Sequence, residues 1–507
     1  MSYDFIVVGS GSSSCALVNK LHELCPDKSI LILEAGGSNE DQRVRDFTRA
    51  METYDAFGWN INSIPQALFN NREMPYLSGR INGGSGSING MVCVKPHPHD
   101  ELMKHVNKSS INEVCSKLKP TDIFTHNEPS KHTMDAFLKK GFLYTNNYLE
   151  DGEASEKLSY PRLNISDKGE RLDPYSVFVS ELIGQNVAII NNALVQKLII
   201  DEKNNVQGVR VLINGREEVF HAKCEVILCA GAIYTPQILL KSGIGPRDTL
   251  TNNDIFVLKD LPVGKNLHDQ LMIYSVCSLK KEAFDLVVNQ IMNLTGFFRY
   301  DNFNFDSELN FKPIDNNRQP EFQLQTYPIK DGWGNIPPYS FVLCIIVLHP
   351  KSRGVVSLDN QRVFIDPKCG SDSSDFSQLL NALKIAMGFM DILPADLYGK
   401  RILPAGNHHT DDELMEYIKE TAITNHHPGG TCKIGHVTNK DFNVIGINKL
   451  RIADSSIIPS PVSGNPQIAA CALGIQAAKV IASSYNAKIL PNIDDAHANL
   501  TSRDLRF

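Results

Sequence analysis

The stretch that decides the fold is YDFIVVGSGSSSCALVNKLHELCPDKSILILE, residues 3–34. Tyr3–Val8 is a short apolar run that ends at a glycine turn, and it predicts a buried strand. Ser12–Leu24 places apolar residues at helical spacing, and Ser29–Glu34 is a second strand-like run. A strand, a helix and a strand in this order predict parallel strands joined by a right-handed crossover, the opening unit of an α/β fold.

The turn GSGSSS, residues 9–14, carries the glycines that a dinucleotide pyrophosphate requires. Gly9 and Gly11 allow a tight turn and close approach of the backbone to phosphate. The helix that begins at Ser12 directs its free N–H groups at the same anion. Glu34, about twenty residues further on, can accept hydrogen bonds from a ribose. Although Ser14 replaces the third glycine of the pattern, the combination predicts dinucleotide binding rather than a simple turn.

Further strands and helices follow along the chain. Asn214–Gly215 predicts a tight hairpin turn between two of the strands. Residues 97–161 are polar and weakly periodic, and they predict connecting structure with one helix around Met134–Lys139. Ile468–Ala482 predicts a long apolar helix near the C-terminus. The other predicted strands are Val187–Ile200, Val206–Ile213, Glu217–His221, Glu225–Cys229, Ser340–Leu348 and Val355–Leu358.

A second glycine-rich segment is GRINGGSGSINGM, residues 79–91. It offers consecutive backbone N–H groups to an anion or a flat ring. Three more segments follow: GAIYTPQILLKSGIG (231–245), HHPGGTCKIG (426–435) and LRIADSSIIPSPVSGNPQ (450–467). In this order the segments resemble the motifs of the glucose–methanol–choline (GMC) oxidoreductase family. The resemblance covers nearly the whole chain.

The resemblance implies an FAD-binding, doubly wound (Rossmann-like) domain and an antiparallel-sheet substrate domain. The expected FAD domain comprises residues 1–100, 165–270 and 425–507, with a shortened lid at 101–164 and the substrate domain at 271–424. Because Ile88 stands where some relatives carry a flavin-linking histidine, FAD is expected to bind without a covalent bond. The residues expected to contact FAD are Gly9, Gly11, Ser12, Glu34, Gly83, Gly84, Asn89, Gly90, Met91, Val195, Ala230, Gly231, Asp454, Ser455 and Pro466.

The resemblance places the active site at His427 and Asn465, with the neighbouring His426 in a structural role. An imidazole with a pKa of about 6.5 can accept the hydroxyl proton of an alcohol while a hydride leaves the α-carbon. The Asn465 amide can hold the substrate oxygen as charge develops on it. The expected function is FAD-dependent oxidation of an alcohol with His427 as general base. O2 or another acceptor would then reoxidise the flavin.

Several positions depart from the family pattern. Asn82, Cys93 and Gln270 replace its usual residues, and the segment after Pro96 is short. These departures and the Asn-, Lys- and Ile-rich composition resemble giant-virus members of the family, in which a member can be a virion fibre component. A structural or assembly protein is therefore the alternative to an enzyme. An NAD(P)-dependent dehydrogenase would explain residues 9–14 but not the later motifs.

The bulk composition is that of an ordinary soluble globular protein, with 507 residues, 42% apolar, 21% charged and a net charge of -7. No Lys/Arg block indicates nucleic acid, and no apolar stretch approaches a membrane span. We expect no secretory leader, because the first predicted strand begins at Tyr3. The eleven cysteines lack CxxC spacing and His408–His409 lack a spaced third ligand, so no metal is expected. We expect an intracellular (or virion) location and an alcohol as partner. A homo-oligomer or self-assembly is compatible with this composition.

Overall fold

Two large sheets form the framework of the protein. The computed structural model describes residues 1–122, 125–146, 156–284, 292, 294–304, 310–313, 318–406 and 409–485. His408 and the last part of the chain therefore lie outside the described residues, and the statements below concern the described ones.

The first sheet has seven strands and contains the predicted β-α-β unit. Ser2–Val8 lies inside it, parallel to Ile30–Leu33 on one side and to Arg216–Leu228 on the other. The crossover helix spans Ser12–Leu24, so the α/β class and the parallel strands are confirmed. The other strands of this sheet are Val187–Ile190, Ala193–Ile200, Val206–Ile213 and Leu450–Ile452.

The bounds of two predicted strand runs in this sheet are wrong, those at Arg216–Leu228 and at Val187–Ile200. The strand Arg216–Leu228 is continuous, whereas the sequence divides it into two strands, because its first part pairs with Val206–Ile213 and its second part, from His221 on, pairs with Ser2–Val8. The run predicted as Val187–Ile200 is instead two strands, since Asn192 takes a left-handed φ of 55° and reverses the chain. The hairpin turn at Asn214–Gly215 is confirmed, with φ angles of 49° and 79°.

The second sheet is antiparallel and presents a different core on each face. One face packs on the helix Ser373–Asp391 through residues such as Leu343 and Ile345. The opposite face, which carries Met272 and Val342, belongs to the core shared with the first sheet. The strands of this second sheet, in spatial order, are Leu294–Phe298, Phe322–Ile329, Ser340–Val347, Leu271–Leu279 and Tyr398–Leu403. A sixth strand, Ile423–Thr424, also pairs with Leu271–Leu279.

The long C-terminal helix spans Gln467–Tyr485 and packs against Ser12–Leu24. The two backbones meet at Gly474, where a Cβ would stand 2.0 Å from the Ser13 carbonyl oxygen. With 19 residues and a mean hydropathy of 1.3, this helix is long and apolar enough to cross a membrane. The prediction that no segment approaches that length is therefore wrong. Because 61% of its apolar window is buried inside the protein, the helix has the surroundings of a core helix.

The region predicted as a lid has more helix than its sequence suggests. The helix at Met134–Lys139 extends back to Glu128, behind an Asn127 side chain that accepts a hydrogen bond from the Ser130 N–H. A second helix, Lys108–Leu118, was missed, because only three apolar residues mark its buried face among polar neighbours. It packs against the C-terminal helix.

Shorter elements complete the described fold. A three-stranded sheet contains Lys265–Leu267, Gly354–Asp359 and Arg362–Asp366, and pairs of very short strands join Ile61–Asn62 to Pro75–Tyr76, Leu143–Tyr144 to Lys157–Ser159, and Phe303–Asn304 to Asn310–Phe311. The remaining α-helices are Gln42–Arg45, Thr53–Phe57, Pro174–Phe178, Gly231–Lys241, Arg247–Thr251, Lys281–Phe284 and Asp411–Thr421.

Candidate active site

A cavity lies between the carboxyl ends of the parallel strands and the inner face of the antiparallel sheet. Val8, Leu33 and Cys229 line it from the strand ends, and Met272 and Val342 line it from the opposite sheet. All but one of the predicted site residues lie in its wall. These are Gly9, Gly11, Ser12, Glu34, Gly84, Asn89, Gly90, Met91, Val195, Ala230, Gly231, His427, Asp454, Ser455, Asn465 and Pro466.

Gly83 is the exception and lies behind the wall. Its N–H donates to the Ser10 carbonyl at 3.0 Å, and a Cβ there would come within 2.1 Å of the Ser87 hydroxyl. At the next residue, a Cβ on Gly84 would stand 2.8 Å from the Gly11 Cα. At Gly83 and Gly84 the two glycine-rich segments therefore touch through their backbones, and Gly83 shapes the site by supporting the first turn.

The first turn is built to receive an anion. Gly9 has a φ of 96°, and a Cβ on it would stand 2.5 Å from the Cys229 carbonyl oxygen, so only glycine fits here. Gly11 is different: its φ is -70°, and a Cβ on it would have no heavy atom within 4 Å. No side chain caps the helix that begins at Ser12, which leaves its first N–H groups directed into the cavity.

The two carboxylates of the wall hold its segments together. The Glu34 carboxylate accepts hydrogen bonds from the Ser10 N–H at 2.9 Å and the Gly36 N–H at 2.7 Å. The Asp454 carboxylate accepts from the Gly231 N–H at 2.9 Å and so joins two of the predicted motifs. Burial raises the pKa of both carboxyls, while these hydrogen bonds favour the ionised form.

Arg171 is a site residue that the sequence does not reveal. It is buried, and its Nη1 donates to the Asn89 carbonyl at 2.7 Å and to the Asn89 Oδ1 at 2.9 Å. The Asn89 amide nitrogen in turn donates to the Gln467 Oε1 at 3.0 Å. An isolated arginine in a polar segment carries no motif, so only the fold brings this guanidinium behind the second glycine-rich loop.

Two neighbouring residues, Asp269 and Gln270, hold His427 in place. Its backbone N–H donates to the Asp269 Oδ1 at 2.8 Å, and its Nδ1 lies 2.7 Å from the Gln270 Oε1. Gln270 is itself fixed, because its Nε2 donates to the Val462 carbonyl at 2.8 Å and to the Leu348 carbonyl at 3.4 Å. The Gln270 oxygen must therefore face the imidazole, where it can only accept.

This arrangement defines which ring nitrogen carries the hydrogen. Nδ1 donates to Gln270, so Nε2 keeps its lone pair and is left for a ligand in the cavity. The Asn425 amide lies 3.1 Å from the same Nδ1. A half turn exchanges the oxygen and nitrogen of an amide, so Asn425 adapts to the ring, whereas Gln270 is anchored.

Both histidines of the wall are neutral at pH 7. Burial lowers the pKa of His427 to about 3, and the neighbouring His426 acts in the same direction. Burial likewise lowers the pKa of His426 to about 4. The His426 Nδ1 accepts a hydrogen bond of 3.5 Å from the Leu77 N–H and lies 3.3 Å from the Thr424 hydroxyl, contacts that suit its expected structural role.

Asn465 presents its amide N–H groups to the cavity. Its Oδ1 accepts from the Gln323 Nε2 at 3.2 Å and from the Gln325 Nε2 at 3.5 Å, and both glutamines come from the antiparallel sheet. With its oxygen engaged, the Asn465 side chain can only donate to a ligand. The His427 Nε2 as acceptor and the Asn465 amide as donor together match the proton and the oxygen of a hydroxyl group.

The cavity fits the cofactor that the resemblance implies. Gly11 and Gly231 both line it, and a Cβ on either would meet open space within 4 Å. The buried Gln467 Nε2 faces this region without a hydrogen-bond partner among the described residues. Backbone N–H groups at one end, carboxylates along the wall and amides at the other end suit a dinucleotide. Within the described residues no group of three His, Cys, Asp or Glu side chains could hold a metal ion.

Comparison with known proteins identifies the family. The family models for GMC oxidoreductases match residues 3–272 and 350–474. An alcohol dehydrogenase [acceptor] from Pseudomonas putida is 27% identical over 99% of both chains. An oxygen-dependent choline dehydrogenase from Pectobacterium carotovorum is 28% identical over 92% of both chains.

Solved structures share the fold. A pyridoxine 4-oxidase from Mesorbium loti superposes with a TM-score of 0.82 at 23% identity, covering 94% of this chain and 98% of its own. An FAD-dependent oxidoreductase from Chaetomium thermophilum superposes with a TM-score of 0.79 at 20% identity, covering 96% of this chain and 100% of its own. The chain therefore belongs to the GMC oxidoreductase family, and FAD is its cofactor.

Proposed function

We propose that this FAD-dependent alcohol oxidoreductase uses His427 as its general base and Asn465 as the donor to the substrate oxygen. The observation that carries the proposal is the contact between the His427 Nδ1 and the anchored Gln270 oxygen, which leaves Nε2 as the acceptor. The substrate hydroxyl would donate to Nε2, and the Asn465 amide would donate to the hydroxyl oxygen. The hydride would leave from the carbon that bears this hydroxyl group.

The reaction divides between the chain and its cofactor. Bound FAD supplies the acceptor for the hydride. His427 takes the hydroxyl proton on Nε2, and the Asn465 N–H groups stabilise the negative charge that grows on oxygen. An alcohol thereby loses one proton and one hydride and leaves as a carbonyl compound. The low pKa of His427 keeps the ring neutral before the reaction, so the lone pair is available at neutral pH.

The same proposal assigns the cofactor contacts. Gly9, Gly11 and Ser12 would meet the pyrophosphate and Glu34 the adenosine ribose, within an FAD-binding domain formed by residues 1–100, 165–270 and 425–507. Ile88 lines the cavity where a covalent link would require histidine, which favours non-covalent binding. The alternative structural role finds no support in the relatives reported above, both of which are named as dehydrogenases.

A visible spectrum of the purified protein, followed by anaerobic mixing with a panel of alcohols, tests the proposal. We expect the bands of oxidised flavin, and we expect at least one alcohol to bleach them. Bleaching should be much slower in His427→Ala, although the bands of the bound oxidised flavin are the same at the start. Flavin that no alcohol reduces would contradict the catalytic proposal, and protein that takes up no FAD would contradict the cofactor assignment.

A matched pair of glycine variants tests the phosphate end of the site. We expect Gly11→Ala to leave the free energy of unfolding of the FAD-free protein within about 1 kcal/mol, because its φ suits alanine and the new methyl meets no protein atom. The methyl would project where the backbone must approach pyrophosphate, so FAD affinity should fall at least about tenfold.

Gly9→Ala should behave in the opposite way. Its methyl would collide with the Cys229 carbonyl at a φ of 96°, which should cost about 1–3 kcal/mol of stability. Thermal unfolding and FAD titration of both variants separate the two effects. A Gly11→Ala protein that binds FAD as tightly as the wild type would contradict the assignment of this turn to the pyrophosphate.

A further inference from the structure

The substrate end of the cavity is formed by the inner face of the antiparallel sheet. Alternate residues of Phe322–Ile329, Ser340–Val347 and Leu271–Leu279 point to this face, because successive side chains of a strand alternate. The side chains that reach the cavity here are almost all apolar or aromatic. They are Met272, Gln325, Tyr327, Ile329, Val342 and Cys344, joined by Met292 and Trp333.

The few polar atoms of this wall are already paired with each other. The Tyr327 hydroxyl donates to the Gln325 Oε1 at 2.6 Å, and the Gln325 Nε2 donates to the Asn465 Oδ1 at 3.5 Å. This chain of hydrogen bonds ends at the residue proposed to hold the substrate oxygen. Beyond the reacting hydroxyl, a substrate therefore meets a surface whose hydrogen-bonding groups are engaged.

This end of the described cavity also lacks a charged side chain. The carboxylates in the wall are Glu34 and Asp454, and both are bound to the backbone segments that frame the cofactor. His426 and His427 also line the cavity, and the Asp269 carboxylate lies behind His427 rather than in the wall, where its Oδ1 accepts from the His427 N–H at 2.8 Å. A cation placed against the sheet would lose its hydration without gaining a carboxylate partner, which is unfavourable.

We infer that the substrate is an uncharged alcohol with an apolar body, aliphatic or aromatic, and that the site discriminates against alcohols with a quaternary ammonium group. The inference rests on the proposed function and specifies its substrate class. The inferred preference for an uncharged substrate differs from the one stated in the name of the relative reported above, a choline dehydrogenase. Met272, Val342 and Ile329 are the specificity-determining residues, because each presents an apolar side chain where a cation would need a negative charge.

Aromatic rings are the remaining groups of this wall that could attract a cation, and they carry no net charge. Tyr327 and Trp333 could offer ring faces to an ammonium group. The Trp333 side chain is 41% exposed, so a cation there would exchange one hydrated position for another. The uncharged member of an isosteric pair should therefore bind better.

Two isosteric pairs of alcohols test the inference on the FAD-loaded protein. Choline and 3,3-dimethylbutan-1-ol have the same shape and differ by one charge, and 4-(trimethylammonio)benzyl alcohol and 4-tert-butylbenzyl alcohol form a larger pair. We expect kcat/KM for flavin reduction to be about 100-fold higher for the uncharged member. If neither member of a pair is oxidised, the two are compared as inhibitors of the best alcohol, with the same ordering expected.

A matched pair of variants should change the preference between the uncharged and the charged alcohol. Val342→Glu places a carboxylate on the sheet face, and Val342→Gln places an uncharged side chain of the same shape there. We expect the ratio of kcat/KM between 3,3-dimethylbutan-1-ol and choline to fall at least tenfold in the Glu variant relative to the Gln variant. If Val342→Glu does not fold, the same comparison is made with Ile329→Glu and Ile329→Gln. Ile329 is the last residue of the strand Phe322–Ile329.

The outcomes separate this inference from the function on which it rests. Equal or better use of the cation by the wild type would overturn the substrate class and leave alcohol oxidation intact. An unchanged ratio in both Glu variants would overturn the assignment of the specificity-determining residues. If no member of the pairs and no alcohol of a wider panel reduces the bound flavin, the proposed function falls as well.

Discussion

Replacing His427 with alanine is expected to lower kcat about 1,000-fold while bound FAD remains in place. The change removes the Nε2 lone pair that the proposed mechanism uses to accept the hydroxyl proton, and a positioned general base contributes about 10²–10⁴-fold. Because this proton transfer belongs to the transition state, kcat and kcat/KM should fall together. Anaerobic stopped-flow reduction of the flavin by its best alcohol measures the effect directly.

Chemical rescue makes this prediction specific. The alanine variant leaves a space the size of an imidazole ring, so added imidazole should restore part of the lost rate. The matched control is His426→Asn, because His426 has a φ of 58° and asparagine tolerates that conformation. Since His426 is expected to be structural, this variant should keep kcat within about tenfold of the wild type and should not respond to imidazole. A His427→Ala enzyme that reduces its flavin at the wild-type rate would remove the general base from the mechanism.

Much of the fold can be predicted from residues 3–34 because local and long-range signals agree there. Apolar strands, a glycine turn and a helix without breaks all require the same βαβ unit, and the structure has it with the helix at Ser12–Leu24. The missing third glycine does not disturb the turn. Ser14 is buried, but its hydroxyl donates to the Gly9 carbonyl at 2.6 Å, so its polar atom is paired.

Other parts depend on contacts that no local pattern contains. Arg216–Leu228 is continuous because Val206–Ile213 pairs with its first part and Ser2–Val8 with its second part. Polar residues at its midpoint interrupt the hydrophobic pattern, so the sequence alone does not show that the two parts are one strand. The helix Lys108–Leu118 is recognisable only once the C-terminal helix is beside it. The same limit applies at the site, where Arg171 and Gln323 contact Asn89 and Asn465 from segments without a motif.

Gln270 illustrates how a departure from a family pattern can acquire a role. In the sequence it stands only as a departure from the usual residue of the family pattern. In the structure its oxygen lies against His427 and its nitrogen donates to the Val462 carbonyl, three residues before Asn465. One buried amide thus contacts both the proposed base and the loop that carries the proposed donor. Gln270 is therefore a positioning residue, and its side chain should affect the rate without touching the substrate.

Replacing Gln270 with methionine, which has a similar length and no acceptor, is expected to lower kcat about 100-fold with little change in KM. Without the Gln270 oxygen, the Asn425 amide nitrogen can donate to Nδ1 and the ring hydrogen moves to Nε2. A ring with its hydrogen on Nε2 cannot accept the substrate proton. Nitrogen-15 NMR of the histidine ring reports which nitrogen is protonated, and a purely structural role for Gln270 would leave that signal unchanged.

Gln270→Glu provides the matched rescue, with pH as the variable. A protonated carboxyl can donate to the Val462 carbonyl and accept from the His427 Nδ1, as the amide does. Burial raises the pKa of a carboxyl at this position, so the protonated form should persist into the acidic part of the working range. As pH rises and the carboxyl ionises, it loses the hydrogen donated to Val462 and faces a carbonyl oxygen. We therefore expect kcat near the wild-type value at acidic pH and a fall with rising pH, whereas wild type has no titrating group at this position. Equal pH profiles for wild type and Gln270→Glu would show that this contact does not govern the base.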